Sequence, residues 1–496
     1  MRRLALLLSA ALLTASIPAT SATAASVPVA SGPTKSHAST AACPIEMPAG
    51  ATCGYLTVPT DWDLQDDTRT MSIAYAVHRA TGKRLGALTY NMGGPGNGGV
   101  FSLPMWIGTY GPNRAFPPEI VEHYDIVAWD PRGVDFTTPH LESCDPTFSL
   151  GPLPQAGPVD WLAAATNFAQ SLRPQLQRCL ADNPDVAPYL GTYYVIRDLD
   201  ALRSALGYDT WSYYGISYGT TIGMAYARQF PDRLDQLVLD GVAPPNQSVL
   251  QSVNSQAWAW TYALRQFIAA YGAQFSRKVS RVLSTLDRGA LVDGNDTWTR
   301  FSDSDFDYTS LESLVKGFGQ VTYDGKRQAF AHLYQLARTT SPMRSTPDAP
   351  ARDTPTSAIV SFVLCADRSD RPTPEQVAPI AQTAAQAITP SGTNAIWRGL
   401  WCSGLPAIGH SINASNAPIL LRNSALLVNS SADPQTPWLR ARLAASTIAG
   451  SRLITYTGTQ HGVYRAVGSA CVDDLVTRYL MTTRLPKGDP TCPLKL

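Results

Sequence analysis

The sequence predicts an α/β fold with a mostly parallel central sheet, interrupted by a large, mainly helical insertion. Three observations carry that expectation. Between residues 54 and 244, short apolar runs alternate with helical patterns, which is how a parallel sheet with crossover helices looks in sequence. From about 245 to 416, helical stretches bearing aromatic residues dominate, as in "SQAWAWTYALRQFIAAYGAQF". From 417 the alternation of strand and helix returns. The expected divisions are therefore 43–244 and 417–496 for two parts of one core, and 245–416 for a cap-like insertion. No internal repeat is evident.

Composition agrees with a large folded chain. Of 496 residues, 44% are hydrophobic, enough for a sizeable core, and 39 basic side chains balance 38 acidic ones. That balance gives no sign of nucleic-acid binding or of electrostatic membrane attachment.

Taken from the start, residues 1–25 read as a secretory signal peptide: Arg2 and Arg3 precede an apolar stretch, and Ala22-Thr23-Ala24 offers a cleavage site. The apolar run is too short to span a bilayer comfortably, and no membrane span is expected elsewhere. Residues 26–42, rich in Ser, Ala, Thr and Pro, suit a disordered leader or short pro-segment. Export gives meaning to eight cysteines: Cys43, Cys53, Cys144, Cys179, Cys365, Cys402, Cys471 and Cys492. An even number in an exported chain favours disulfides, and pairing between sequential neighbours, which closes short loops, is preferred. Spacing alone leaves the connectivity open. No Cys-x-x-Cys or Cys/His cluster suggests zinc, and neither a metal nor a cofactor is expected.

The strands follow in order: "GALTYNM", "YDIVAWD", "WSYYGIS" and "DQLVLDGV", then, beyond the insertion, "NSALLVNSS" and "SRLITYTG". A helix is expected between the last two, with Thr436 as N-cap, Pro437 in its first turn and Gly450 past its end. Between the third strand and a helical pattern stands Gly215-Ile216-Ser217-Tyr218-Gly219. A serine on a sharp strand-to-helix turn has its hydroxyl lifted clear of the sheet, and the glycines relieve the crowding.

A nucleophilic serine needs a base, and the base needs an orienting carboxylate. Three histidines follow Ser217. His461, in "TGTQHGVY", directly follows an expected strand. His332 lies inside the helical pattern "KRQAFAHLYQLA", and His410 stands near the end of the insertion. Asp433 follows the strand "ALLVNSS". Asp433 and His461 thus sit at the C-terminal ends of successive strands, where an open parallel sheet builds its site. Donors for a developing oxyanion are expected from the backbone N–H of Tyr218 and from Gly94 or Gly93 in "TYNMGGPGNGG", since Pro95 has no N–H. A phosphate-binding loop would need a lysine and a spacing that this stretch lacks.

At this point the chain resembles a known family. "GGPG", "DPRGVDFTTP" (130–139), "GISYGTTIG", "SSADPQTP" and "HGVY" look, in order and spacing, like the exported tripeptidyl aminopeptidase and proline iminopeptidase branch of the α/β-hydrolases. The chain is especially similar to the secreted actinobacterial tripeptidyl aminopeptidases. The resemblance runs from about 43 to 492 and includes "CGYLTVPTDW", "VLCADRSD" and "SACVDDLVTRYL". It implies the α/β-hydrolase fold with a helical cap, and the pairs Cys43–Cys53, Cys144–Cys179, Cys365–Cys402 and Cys471–Cys492. Two departures stand out. Met92 replaces the histidine with which iminopeptidases usually begin the glycine loop, and the helix around "FIAAYGAQF" lacks cysteines that many relatives carry.

The activity implied is that of a secreted, monomeric serine exopeptidase. It would release tripeptides, or residues and short peptides ending in proline, from substrates with a free N-terminus. An esterase or lipase using the same triad is the alternative. An exopeptidase needs a wall across its cleft and an anion for the substrate ammonium. The insertion offers Asp305, Asp307, Glu312, Asp324 and Asp367 for the second task, without a choice among them.

Overall fold

The computed structural model describes residues 36–65, 67–109, 115–151, 158–286, 288, 291–293, 296–298, 323–339, 342, 354–355, 357–387, 391–412 and 417–494. The expected signal peptide lies outside them. The core is a ten-stranded sheet. Its strands are β1 (His37–Ala41), β2 (Ala51–Pro59), β3 (Thr70–His78), β4 (Gly86–Asn91), β5 (Tyr124–Trp129), β6 (Trp211–Ile216), β7 (Leu234–Asp240), β8 (Leu426–Ser430), β9 (Arg452–Tyr456) and β10 (Thr491–Cys492). In space they run β1-β2-β3-β5-β4-β6-β7-β8-β9-β10. β1, β2, β3 and β5 pair antiparallel; every pairing from β5–β4 to β9–β10 is parallel.

Side chains alternate across this sheet and feed two apolar layers. On β6, β7 and β8, Tyr213, Leu239 and Leu427 enter one layer. Their neighbours Tyr214, Val238 and Val428 enter the other. Strands buried on both faces read as continuous apolar runs rather than alternating ones, which is why the six quoted segments were visible in sequence. The expected leader differs from the structure at its end. His37–Ala41 pair with β2 as an edge strand, Ala41 opposite Cys53, and the Cys43–Cys53 bridge fastens the turn between them.

The main helices are α1 (Trp161–Asp182), α2 (Thr192–Ala205), α3 (Tyr218–Gln229), α4 (Val249–Ala270), α5 (Gly272–Leu286), α6 (Tyr323–Thr339), α7 (Ala358–Asp367), α8 (Pro374–Ala387), α9 (Ser391–Leu400), α10 (Trp438–Thr447) and α11 (Ala470–Thr482). Helix α4 opens the insertion with a capping box. Ser248 Oγ accepts the Gln251 N–H at 3.1 Å, and Gln251 Oε1 accepts the Ser248 N–H at 3.1 Å.

The insertion is built in two parts. Helices α4, α5 and α6 share an apolar cluster of their own around Trp260, Phe267, Phe275, Val282 and Leu333. Helices α7, α8 and α9 instead bury Phe362, Val377 and Ile396 in the main core, together with Phe168 and Leu172 of α1. The four disulfides join Cys43–Cys53, Cys144–Cys179, Cys365–Cys402 and Cys471–Cys492. Among the described residues no helix is long and apolar enough to cross a membrane.

Candidate active site

Ser217 occupies the one-residue step between β6 and α3, with φ 55° and ψ −122°. A positive φ is costly for a residue with a Cβ and persists only where the surroundings enforce it. Here the Ser217 N–H donates to the Asp240 carbonyl at 2.9 Å, and its own carbonyl accepts the Thr220 N–H at 2.9 Å. The flanking glycines are there for space. A Cβ on Gly215 would stand 2.5 Å from the Gly219 carbonyl oxygen, and one on Gly219 would stand 2.3 Å from that of Asn91.

Asp433 and His461 come together across the ends of β8 and β9. His461 Nδ1 lies 2.9 Å from Asp433 Oδ2 and 3.1 Å from Oδ1. This contact puts the imidazole proton on Nδ1, where it is donated to the carboxylate, and leaves Nε2 as an acceptor. Asp433 is fully buried, while the His461 side chain is 13% exposed. The Gln435 and Thr436 N–H groups donate to Asp433 Oδ1 at 2.8 and 2.9 Å. The Thr436 hydroxyl donates to Asp433 Oδ2 at 2.9 Å and lies 3.2 Å from His461 Nδ1. Thr436 is thus not the N-cap of α10; Pro437 is. A hydroxyl beside a buried carboxylate bonds to that charge rather than to a backbone amide.

The histidine ring rests against Gly241, where an added Cβ would be 3.1 Å from His461 Cε1. Gly241 follows Asp240, which is paired with Ile216 across β6 and β7. His461 therefore lies beside the serine turn. Asp240 holds this arrangement from below. Fully buried, its carboxylate accepts the Val463 N–H (2.9 Å to both oxygens), the Tyr464 N–H (2.9 Å) and the Tyr214 hydroxyl (3.0 Å). Burial pushes its pKa up to about 6 against the pull of those donors. Nothing in the motif reading singled it out, although an acid at the C-terminal end of a core strand was the available signal.

The glycine loop after β4 lies directly on the serine turn. A Cβ on Gly93 would stand 2.9 Å from both Ser217 Cβ and the Tyr218 nitrogen. Gly93 differs from expectation in one respect: its N–H donates to Asn91 Oδ1 at 2.9 Å and so is already committed. The N–H groups of Gly94 and Tyr218 make no hydrogen bond among the described residues. The segment 130–139 buttresses the loop: Asp130 Oδ1 accepts the Val100 N–H at 2.9 Å and Asp135 Oδ2 the Gly98 N–H at 3.1 Å.

The competing histidines lie elsewhere. His332 is an exposed residue of α6, and His410 stacks on Tyr193 at 4.3 Å with Nε2 3.0 Å from Asp63. Of the insertion's carboxylates, Asp305, Asp307 and Glu312 fall outside the described residues, and for Asp324 only its place on α6 is described. Asp367 is buried and engaged. Oδ1 accepts the Thr192 N–H at 2.7 Å, and Oδ2 accepts the hydroxyls of Thr192 (2.9 Å) and Tyr218. It therefore anchors α7 to the residue that follows Ser217.

Sheet order, the strained serine and the order serine, aspartate, histidine define a serine hydrolase of the α/β-hydrolase class. Residues 385–492 match the family model described as TAP-like protein. Over its length the chain is 29% identical to serine protease Hip1 of Mycobacterium tuberculosis, covering 90% of this chain and 88% of that one. It is 26% identical to the tripeptidyl aminopeptidase of Streptomyces lividans, covering 90% and 84%. Carboxylesterase B of Mycobacterium tuberculosis is 27% identical, with coverage of 89% and 86%. The resemblance to the tripeptidyl aminopeptidase of Streptomyces lividans thus extends over 90% of this chain.

Proposed function

We propose that this chain is a secreted serine exopeptidase that removes short peptides from free N-termini through an acyl-enzyme. The observation that carries the reading is the His461–Asp433 contact beside a serine held at positive φ. Ser217 Oγ attacks the scissile carbonyl while His461 Nε2 takes its proton, and Asp433 stabilises the imidazolium that forms. The oxyanion accepts hydrogen bonds from the N–H groups of Tyr218 and Gly94. Collapse expels the amine, protonated by His461. Water then attacks the acyl-enzyme by the same route, regenerating Ser217. Four disulfides support export.

Relatives named as a tripeptidyl aminopeptidase and a serine protease favour a peptide substrate. One named as a carboxylesterase keeps ester hydrolysis as the second reading. The test is a matched series of peptides of graded length, free and N-acetylated, with products identified by mass spectrometry. If a buried carboxylate receives the substrate ammonium, acetylation leaves that charge unpaired, at a cost of roughly 3–5 kcal/mol. The expected fall in kcat/KM is about a hundredfold to a thousandfold. Equal rates for free and acetylated peptides, or internal cleavage of long chains, would show an open cleft and reject the exopeptidase reading.

A further inference from the structure

Helix α7 roofs the site. A Cβ on Gly96 would stand 2.8 Å from Ile359 Cγ2, so the start of α7 lies on the glycine loop. Its last residue, Asp367, holds Tyr218. The next residue, Arg368, is partly buried, and its charge acts on Tyr218. Its guanidinium makes no hydrogen bond and no ion pair among the described residues.

Two more arginines stand on the same side. Arg398 of α9 donates to Gln435 Oε1 at 3.2 Å, within the Asp433 loop, and lies 5.4 and 5.6 Å from the ring centres of Trp397 and Trp401. Arg440 of α10 is buried, and its donors go to the Ser255 hydroxyl and the Ser252 carbonyl. Burial, then the positive charges of Arg368 and Arg398, push the Arg440 pKa down to about 9. The Cys365–Cys402 disulfide ties the end of α7 to the turn after α9, and so fixes Arg368 relative to Arg398.

Among the described residues, the nearby carboxylates Asp433, Asp367 and Asp370 are each held by other groups. Asp433 holds His461, and Asp367 holds Thr192 and Tyr218. Asp370 Oδ2 accepts the Val249 N–H at 2.6 Å, which fixes that carboxylate on the start of α4, beyond ion-pair distance of Arg368. Its Oδ1 is buried without a hydrogen-bond partner, but with the charges of Arg368 and Arg371 acting on it the local field favours an anion over an ammonium. Arg371 is spent on carbonyl groups, among them those of Cys365 and Leu405. A guanidinium partly withdrawn from water, with its donors still open, gains from an anionic partner that offsets its desolvation.

We infer that Arg368, with Arg398 beside it, forms a subsite for a carboxylate of the substrate. A planar guanidinium with five donors suits that group in two-point contact. The carboxylate comes either from an acidic side chain or from the C-terminus of a short peptide. The inference rests on the assignment of Ser217 as the nucleophile.

Both sources are tested with peptides differing in one group: Glu against Gln along a chain with an amidated C-terminus, and a free against an amidated C-terminus in a neutral peptide. Wild type is expected to favour the carboxylate in one arm by about tenfold to a hundredfold in kcat/KM, the scale of a charged hydrogen bond. The responding arm identifies the source. Arg368→Gln should abolish that preference, Arg368→Lys should retain part of it, and rates on the neutral peptides should stay near wild type. If Arg368→Gln does not fold, the wild-type ratios and their decline with added salt carry the test. Equal rates in both arms, a preference for Lys at the varied position, or a preference surviving in folded Arg368→Gln would overturn the subsite. Labelling of Ser217 by a neutral fluorophosphonate separates the two claims. Labelling with no carboxylate preference removes only the subsite, whereas no labelling and no hydrolysis removes both.

Discussion

Replacing Asp240 by Asn separates what this residue does for stability from what it does for activity. Its carboxylate is fully buried, and burial raises its pKa to about 6 from an ordinary 3.8. Between roughly pH 4 and 6 the folded protein keeps a proton that the unfolded chain has released. The contribution to stability is therefore complete below pH 4 and is lost as pH rises through about 6. A shift of about two units corresponds to about 3 kcal/mol. Asn does not titrate, so the stability of wild type minus that of Asp240→Asn should fall by up to about 3 kcal/mol between pH 4 and pH 7.

Activity should move the other way. At pH 7 the ionised carboxylate accepts the N–H groups of Val463 and Tyr464, which closely follow His461. An amide nitrogen in place of one oxygen faces these donors with another donor. At least one charged hydrogen bond is lost, worth about 1.5–3 kcal/mol. The His461 loop then loses its fixed register, with an expected fall in kcat/KM of about tenfold to a hundredfold. Denaturant titrations at pH 4, 5, 6 and 7 and turnover at pH 7 measure both effects. Wild-type kcat/KM in the variant would refute the positioning role, and parallel stability curves would refute the raised pKa.

Two further outcomes are expected. Ser217→Ala should fold normally, shown by an unchanged unfolding midpoint, and lose about 10⁴-fold or more in kcat/KM because the bond-forming atom is gone; near-normal turnover would end the assignment. Gly219→Ala should be destabilised by about 1–3 kcal/mol and poorly active, because the new Cβ meets the Asn91 carbonyl oxygen at 2.3 Å on rigid backbone; an unfolding midpoint equal to wild type would show that the turn has slack.

Much of the site was legible because its residues follow buried strands. Ser217, Asp433 and His461 each stand just past an apolar run, and short apolar runs closed by glycines or polar loops are a local signal. Gly93 shows the limit of that signal. As a glycine in the right loop it was an equal candidate with Gly94, and only the fold brings the Asn91 side chain onto its N–H. Thr436 likewise satisfied every local rule for an N-cap, yet its hydroxyl bonds to Asp433 and approaches His461.

By itself, then, the sequence determined the succession of parallel-core strands along the chain, the interruption by a helical insertion, and the serine, aspartate and histidine at the strand ends. These depend on near-neighbour patterns of burial and turn chemistry that are written along the chain. The tertiary structure alone decided that α7 lies over the glycine loop, that Asp367 is an anchor for Tyr218, and that the Arg368 guanidinium makes no hydrogen bond or ion pair among the described residues. It also decided that Asp240, 223 residues from Val463, holds the loop that carries His461. Such pairings depend on which loops the sheet brings side by side, and no local pattern records the approach of groups so far apart in sequence.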